Sequence, residues 1–215
     1  MIRRGEAGVL AAVVLAALVA SSIRPYDRTT WWLEVAPVLV AAPILLLTAR
    51  RFPLTRLLYW LIALHALILI LGGAYTYARV PLGFWAQEAF GFTRNHYDRL
   101  GHFAQGFVPA LIARELLLRK TPLERGGWLA VIVAGLALAI SACYEFIEWW
   151  AAILGGSAAH EFLGTQGDVW DTQWDMFMAL IGAISAQLFL GRIQDRQLRA
   201  LDATMTHRAS SEAAA

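Results

Sequence analysis

A single cysteine, Cys143, stands in 215 residues, so no intrachain disulfide can form. It lies in an apolar run, where a small buried thiol is the simple expectation. Charge is scarce as well: 16% of residues are Asp, Glu, Lys or Arg, against roughly a quarter in an ordinary soluble domain. That shortage excludes a disordered chain and argues against a soluble globule. No His-Glu-x-x-His helix, Gly-rich phosphate loop, Gly-x-Ser-x-Gly elbow or internal repeat is present. What fills the chain instead is apolar: 59% hydrophobic residues and nine Trp, with a mean hydropathy of +0.54. This composition fits a polytopic membrane protein, whose aromatic rings gather at the two headgroup levels.

A helix needs about twenty apolar residues to cross the hydrocarbon core. Six segments meet that length, near 7–23, 33–49, 57–78, 97–118, 127–154 and 172–191. The expected fold is therefore all-α, a six-transmembrane-helix bundle over residues 1–192, followed by a polar cytoplasmic tail, 193–215, read as a frayed helix and then disorder. Pro37 and Pro43 fall inside the second span, where neighbouring groups can satisfy the freed carbonyls. The first span has a second reading as a cleaved signal peptide, since Arg3 and Arg4 precede it and Ala20, Ser21 and Ser22 end it, although its apolar run is long for one.

Orientation follows from Lys and Arg in short loops. Twelve of the eighteen lie on one side, in the N-terminus, the 50–56 and 119–125 loops and the tail. Five lie opposite (Arg24, Arg28, Arg79, Arg94, Arg99), and Arg114 sits within the fourth span. The expectation is a bacterial plasma (inner) membrane protein with both termini in the cytoplasm.

Charges inside apolar spans cost of order 3 kcal/mol at the helix centre, so they are functional candidates. Asp98, His102, Gln105 and Pro109 share one face of the fourth span, and Ser141, Glu145 and Glu148 share one face of the fifth. Asp168, Asp171 and Asp175 follow helical spacing into the sixth, with Gly182 on the same stripe. The topology brings these groups, with His96, His160 and Glu161, to the rim opposite the basic loops. Simpler readings stand beside this one. Asp171 and Asp175 suit a helix N-terminus, Asp98 could cap a helix or pair with Arg94 or Arg99, and His96, His160, Glu161 and Asp168 could be solvated loop residues. His65 reads as a hydrogen-bonded packing residue, and Trp31, Trp32, Trp85, Trp149, Trp150, Trp170 and Trp174 read as interfacial anchors.

Several carboxylates facing one another at low dielectric cannot all stay ionised and unpaired. Either a cation neutralises them or some hold protons and serve as acids and bases. Oxygen ligands with one imidazole suit Mg, Mn or Ca, and less typically Zn. The candidate metal set is Asp98, His102, Glu145, Asp171 and Asp175, and the candidate acid/base groups are His102, Glu145 and Glu148. No organic cofactor and no nucleic acid are called for. The expected partners are the lipid bilayer and a lipid or cell-envelope ligand, such as a phosphate-bearing lipid bridged by a divalent cation. Two other classes stay open: a proton- or cation-coupled transporter, with His65 and Arg114 as the deeper polar groups, and a non-catalytic assembly partner.

Three stretches, Asn95-His96-Tyr97-Asp98-Arg99-Leu100-Gly101-His102-Phe103-Ala104-Gln105, Tyr144-Glu145-Phe146-Ile147-Glu148-Trp149 and Gln166-Gly167-Asp168-Val169-Trp170-Asp171-Thr172-Gln173-Trp174-Asp175-Met176, carry a resemblance. In wording and order the chain resembles the YjdF-like bacterial inner-membrane family, known mainly as a domain of unknown function. More distantly, Asp98 and His102, then Glu145 or Glu148, then Asp171 and Asp175 are similar to the motif order of VanZ-like membrane proteins, a group linked to teicoplanin resistance. The VanZ-like pattern often has Gln a few residues after its Glu and an Arg before its Asp, where this chain has Glu148 and an Arg-free loop. The likeness implies a fold and a membrane location rather than a reaction.

Overall fold

The computed structural model describes residues 2–155 and 160–213. Among them every regular element is helical: α1 (Arg4–Ile23), α2 (Arg28–Thr48), α3 (Arg56–Tyr75), a 3-10 turn (Tyr77–Arg79), α4 (Pro81–Phe90), α5 (Tyr97–Lys120), α6 (Gly127–Gly155), α7 (His160–Leu163) and α8 (Asp171–Ala213). Five of the helices are long and apolar enough to cross a membrane: α1, α2, α3, α6 and the 171–204 stretch of α8. The expected sixth, α5, forms where the sequence places it and has 24 residues, about 36 Å at 1.5 Å per residue. Its polar groups, from Asp98 to Lys120, keep it below the apolar mark of the other five. It is shielded instead, packing against α8, α6 and α3.

Small residues set the spacing of this centre. A Cβ on Gly106 of α5 would collide with the backbone of Ala179, and one on Gly182 of α8 with the backbone of Phe103. Ala179, Ala183 and Ala186 are fully buried along the same seam. Close backbone approach through small residues is the usual way apolar-solvated helices gain packing contacts. It also fixes the register that brings the start of α8 beside the start of α5. Leu58, Leu111 and Val133, all fully buried, extend the core toward the opposite end.

Around the centre the packing is looser. Helix α1 lies at the periphery against α3 and buries none of its residues. Pro37 and Pro43 sit inside α2 without ending it. Cys143 is exposed rather than buried, because it lies on the outer face of α6 while Ser141 and Glu145 take the inner one. Trp31 likewise departs from its expected role as an interfacial anchor. It is 4% exposed, packs with Val35 and Ile70 and donates from Nε1 to Ser21 Oγ at 3.0 Å.

The end nearest the basic loops is closed by a polar knot. The Thr55 amide and hydroxyl donate to Glu115 Oε1 and Oε2 at 3.0 and 2.8 Å. Arg119 pairs with Glu115 Oε1 at 3.0 Å and donates to the Pro53 carbonyl at 2.7 Å. Gln194 donates to the Leu111 carbonyl at 2.7 Å, and Arg114 donates to Gln194 Oε1 at 3.0 Å. Arg114 and Arg125 both reach Asp195 Oδ1 at 2.9 Å. The knot pins α3, α5 and α8 together at this basic pole, while α8 continues as helix to Ala213.

Candidate functional site

At the opposite, acidic pole the start of α5 is built by the loop before α8. The Tyr97 amide donates to Asn95 Oδ1 at 3.0 Å, closing the turn that opens the helix. Asn95 and Gln166 clasp each other: the Asn95 amide donates to Gln166 Oε1 at 3.1 Å, and Gln166 Nε2 donates to the Asn95 carbonyl at 2.7 Å. Gly164 and Gly167 flank the clasp with φ of +61° and +85°, a conformation that costs a glycine little. Arg94 then reaches the Thr165 carbonyl at 2.8 Å and Asp171 Oδ1 at 2.7 Å. Asp168 receives Arg99 at 2.7 Å and Arg94 at 3.4 Å. The pole is thus tied to the register of α5 and α8 through two arginines and two aspartates.

Beneath that frame lies His102, 4% exposed. Its Nε2 is 3.6 Å from Asp98 Oδ1, and its Nδ1 is 3.7 Å from Glu145 Oε1. These separations are longer than a hydrogen bond and leave electrostatic contacts. Nδ1 has its closer contact with Gln105 Oε1, at 3.1 Å. Two groups of three place one ligand atom each within 4.8 Å of one another: Asp98 with His102 and Asp175, and His102 with Glu145 and Glu148. Glu145 Oε1, Asp175 Oδ1 and Ser141 Oγ are buried with no hydrogen-bond partner. A buried acceptor without a donor is costly.

Of the residues singled out by sequence, Asp98, His102, Glu145, Glu148 and Asp175 converge here. Asp171 sits one helical turn before Asp175, with its Oδ1 engaged by Arg94. Asp98 takes neither Arg94 nor Arg99, which are held by Asp168 and Asp171. Asp168 is a clamp between two arginines rather than a solvated loop residue. His96 stands at the start of α5 with its ring 5.1 Å from that of Phe92. Partial burial, then Arg99 and Arg94, hold the His96 imidazole below its ordinary range. The side chains of His160 and Glu161 lie outside the described residues. His65 keeps Nε2 without a hydrogen-bond partner, in place of the bonded packing role expected of it.

Sequence reasoning missed Glu34. This α2 acid is 3% exposed, and its Oε2 accepts from the Tyr144 hydroxyl at 3.0 Å. An acid within a span that begins beside Trp31 and Trp32 carries the same cost that flagged Glu145, so the signal was there. Tyr77, in the 3-10 turn, is the second omission. Glu34, Tyr77 and Tyr144 join Asp98, His102 and Glu148 around a cavity of about 160 Å³ that continues to Gln105 and His65.

Two comparisons with known proteins bear on this geometry. The family described as "Predicted membrane protein (DUF2238)" matches residues 7–196. The chain is also 57% identical over 182 residues to "Inner membrane protein YjdF" of Escherichia coli (strain K12), covering 85% of this chain and 87% of the relative. No solved structure matches significantly.

Proposed function

The chain belongs to the DUF2238 family of membrane proteins and is a multi-pass inner-membrane protein; we propose that its acidic pole is a cation-dependent site for a lipid or envelope-linked ligand. In this reading α5 is a sixth span, both termini are cytoplasmic and the acidic pole faces outward, as the distribution of Lys and Arg between the loops supports. Asp98, His102 and Asp175 hold a divalent cation, Glu145 faces the other nitrogen of the His102 ring, and Asp171, set by Arg94, orients the start of α8. His102, Glu145 and Glu148 are the acid/base groups.

The observation that carries the proposal is the pair of buried carboxylate oxygens, Glu145 Oε1 and Asp175 Oδ1, that find no hydrogen-bond donor around His102. Carboxylates with a single imidazole favour a hard cation such as Mg, Mn or Ca. The bound cation would neutralise the carboxylates and offer a positive centre to a phosphate or carboxylate on the ligand. The test is Mn²⁺ binding to purified protein in nanodiscs, followed by electron paramagnetic resonance. Saturable binding that weakens at least tenfold in Asp175→Asn is expected, and absence of saturable binding to the wild-type protein overturns the reading.

A second reading, a proton or cation pathway, draws on one observation. The cavity continues from His102 past Gln105 to His65, whose Nε2 has no hydrogen-bond partner. It ranks lower because the polar groups on the other side of the bundle, Arg114 among them, are engaged in the knot at the basic pole.

A further inference from the structure

The cavity beside His102 has a composition of its own. Its polar wall carries Glu34, Asp98 and Glu148 and no Lys or Arg. The nearby arginines, Arg94 and Arg99, point away into Asp168 and Asp171. Glu148 is only 9% exposed, lines the cavity and makes no hydrogen bond or ion pair among the described residues. A buried carboxyl group left unpaired in this way takes up a proton or accepts a positive partner, and the cavity beside it leaves room for a partner.

That partner is not adequately described by a bare metal ion. A cavity of about 160 Å³ has room for a group the size of benzene, which occupies a cavity of about 150 Å³ elsewhere. Away from the acids the lining includes Pro37, Leu69, Pro109 and Ile140 beside Gln105 and His65, so most of that side offers no side-chain oxygen to a hydrated ion. The rings of Tyr77 and Tyr144 border the same space, and aromatic faces attract organic cations.

The cavity also opens toward the bilayer. Pro37 and Ile140 belong to its lining and are exposed on the bundle surface. Helix α2 packs chiefly on α3, and α6 on α5 and α8; the Tyr144–Glu34 hydrogen bond ties α2 to α6 above this mouth. Pro37 lies one turn below Glu34, and Ile140 about 12 Å below Glu148 along the helix axis at 1.5 Å per residue. The mouth is therefore deeper in the apolar zone than the acids.

We propose that this cavity binds a membrane-dissolved amphiphile with an organic ammonium head, the head between Glu34 and Glu148 and the tail leaving between Pro37 and Ile140 into the acyl layer. The inference rests on the reading of the acidic pole as the working site and gives its cavity a ligand of its own, distinct from the anionic group that the bound cation would meet. Two residues separate the two claims. Asp175 belongs to the metal-ligand group and not to the cavity lining, whereas Glu34 lines the cavity and belongs to neither metal group.

The experiment measures binding of dodecylammonium to the full-length protein in an uncharged detergent by native mass spectrometry, with dodecanol as the neutral control and Mn²⁺ binding measured in parallel. Saturable one-to-one binding of the amine, at least tenfold tighter than dodecanol, is expected. Glu34→Gln weakens it at least tenfold and leaves Mn²⁺ affinity unchanged, and Asp175→Asn does the reverse. Ile140→Trp, at the lipid-facing mouth, lowers amine binding without unfolding the core. Equal binding of amine and alcohol, or amine binding unchanged in both Glu34→Gln and Ile140→Trp, overturns the inference while intact Mn²⁺ binding leaves the metal site standing. Loss of Mn²⁺ binding alone would remove the metal site and keep the ammonium pocket.

Discussion

Helix α5 buries an acid near each end, Asp98 at its start and Glu115 toward its finish, and the two poles treat these acids differently. Glu115 is fully buried, yet Thr55 and Arg119 supply donors to its carboxylate within 3.0 Å. Asp98 has His102 at 3.6 Å, and beside it Glu145 and Asp175 each keep an oxygen with no hydrogen-bond partner. Buried charge alone is common to both poles, so it identifies neither as a site. What separates them is satisfaction: the basic pole spends its charges on one another, and the acidic pole leaves acceptors over.

The largest expected effect tests that contrast directly. Glu115→Ala removes the carboxylate that pairs with Arg119 and accepts from both Thr55 donors, and a buried pair that loses one partner costs about 3–5 kcal/mol. Glu145→Gln removes a charge that the apo protein holds without a full set of donors, and its stability changes by less than about 1 kcal/mol. Thermal unfolding of both variants in the same detergent, without divalent cations, checks the difference. If Glu145→Gln destabilises as strongly as Glu115→Ala, the acidic pole is a structural knot too and the comparison fails.

The next effect concerns what couples the poles. Gly106→Val places a side chain against the backbone of Ala179, and overpacking of this kind costs about 1–3 kcal/mol. Because the α5–α8 seam also sets His102 against Asp175, the same variant lowers Mn²⁺ affinity. Gly135→Ala is the control, since nothing lies within 4 Å of its added Cβ; it leaves melting temperature and Mn²⁺ affinity at or slightly above the wild-type values. A Gly106→Val variant that keeps wild-type Mn²⁺ affinity would mean that the site does not depend on this seam.

Much of this arrangement can be read from the sequence because the membrane simplifies the physics. Apolar length marks the helices, and the cost of burying charge marks Asp98, His102, Glu145 and Glu148 as exceptions. Helical spacing then groups them. The same rules stop short where a partner decides the role. Arg119 at i+4 is the local sign that Glu115 is partnered, but its other donors come from Thr55, sixty positions away. Asp168 looked solvated because its two arginines lie on α5 and just before it, across the fold. Trp31 and Trp32 are neighbours of one type, and only the packing of α2 on α3 sends the first inward and the second outward. Glu34 is a different case, for its position within an apolar span carried the signal and the grouping by rim passed over it.

The smallest expected effect lies at the border of the acidic pole, where His96 opens α5. Partial burial and then the neighbouring Arg99 and Arg94 hold its imidazole below the ordinary range, so the folded protein favours the neutral ring. Just below the ordinary histidine value of about 6.5, the unfolded chain therefore binds more protons than the folded one. Stability then rises with pH across this window and is lost as pH falls through it toward the depressed folded value. His96→Asn removes that contribution, so the slope of melting temperature against pH between about 5 and 7 becomes less positive than in the wild-type protein. Because the ring is only partly buried, the change in slope is modest beside the effects at Glu115 and Gly106. An unchanged slope would show that neither partial burial nor the arginines of the frame bias the His96 ring, which would make the frame electrostatically self-contained like the knot at the other pole.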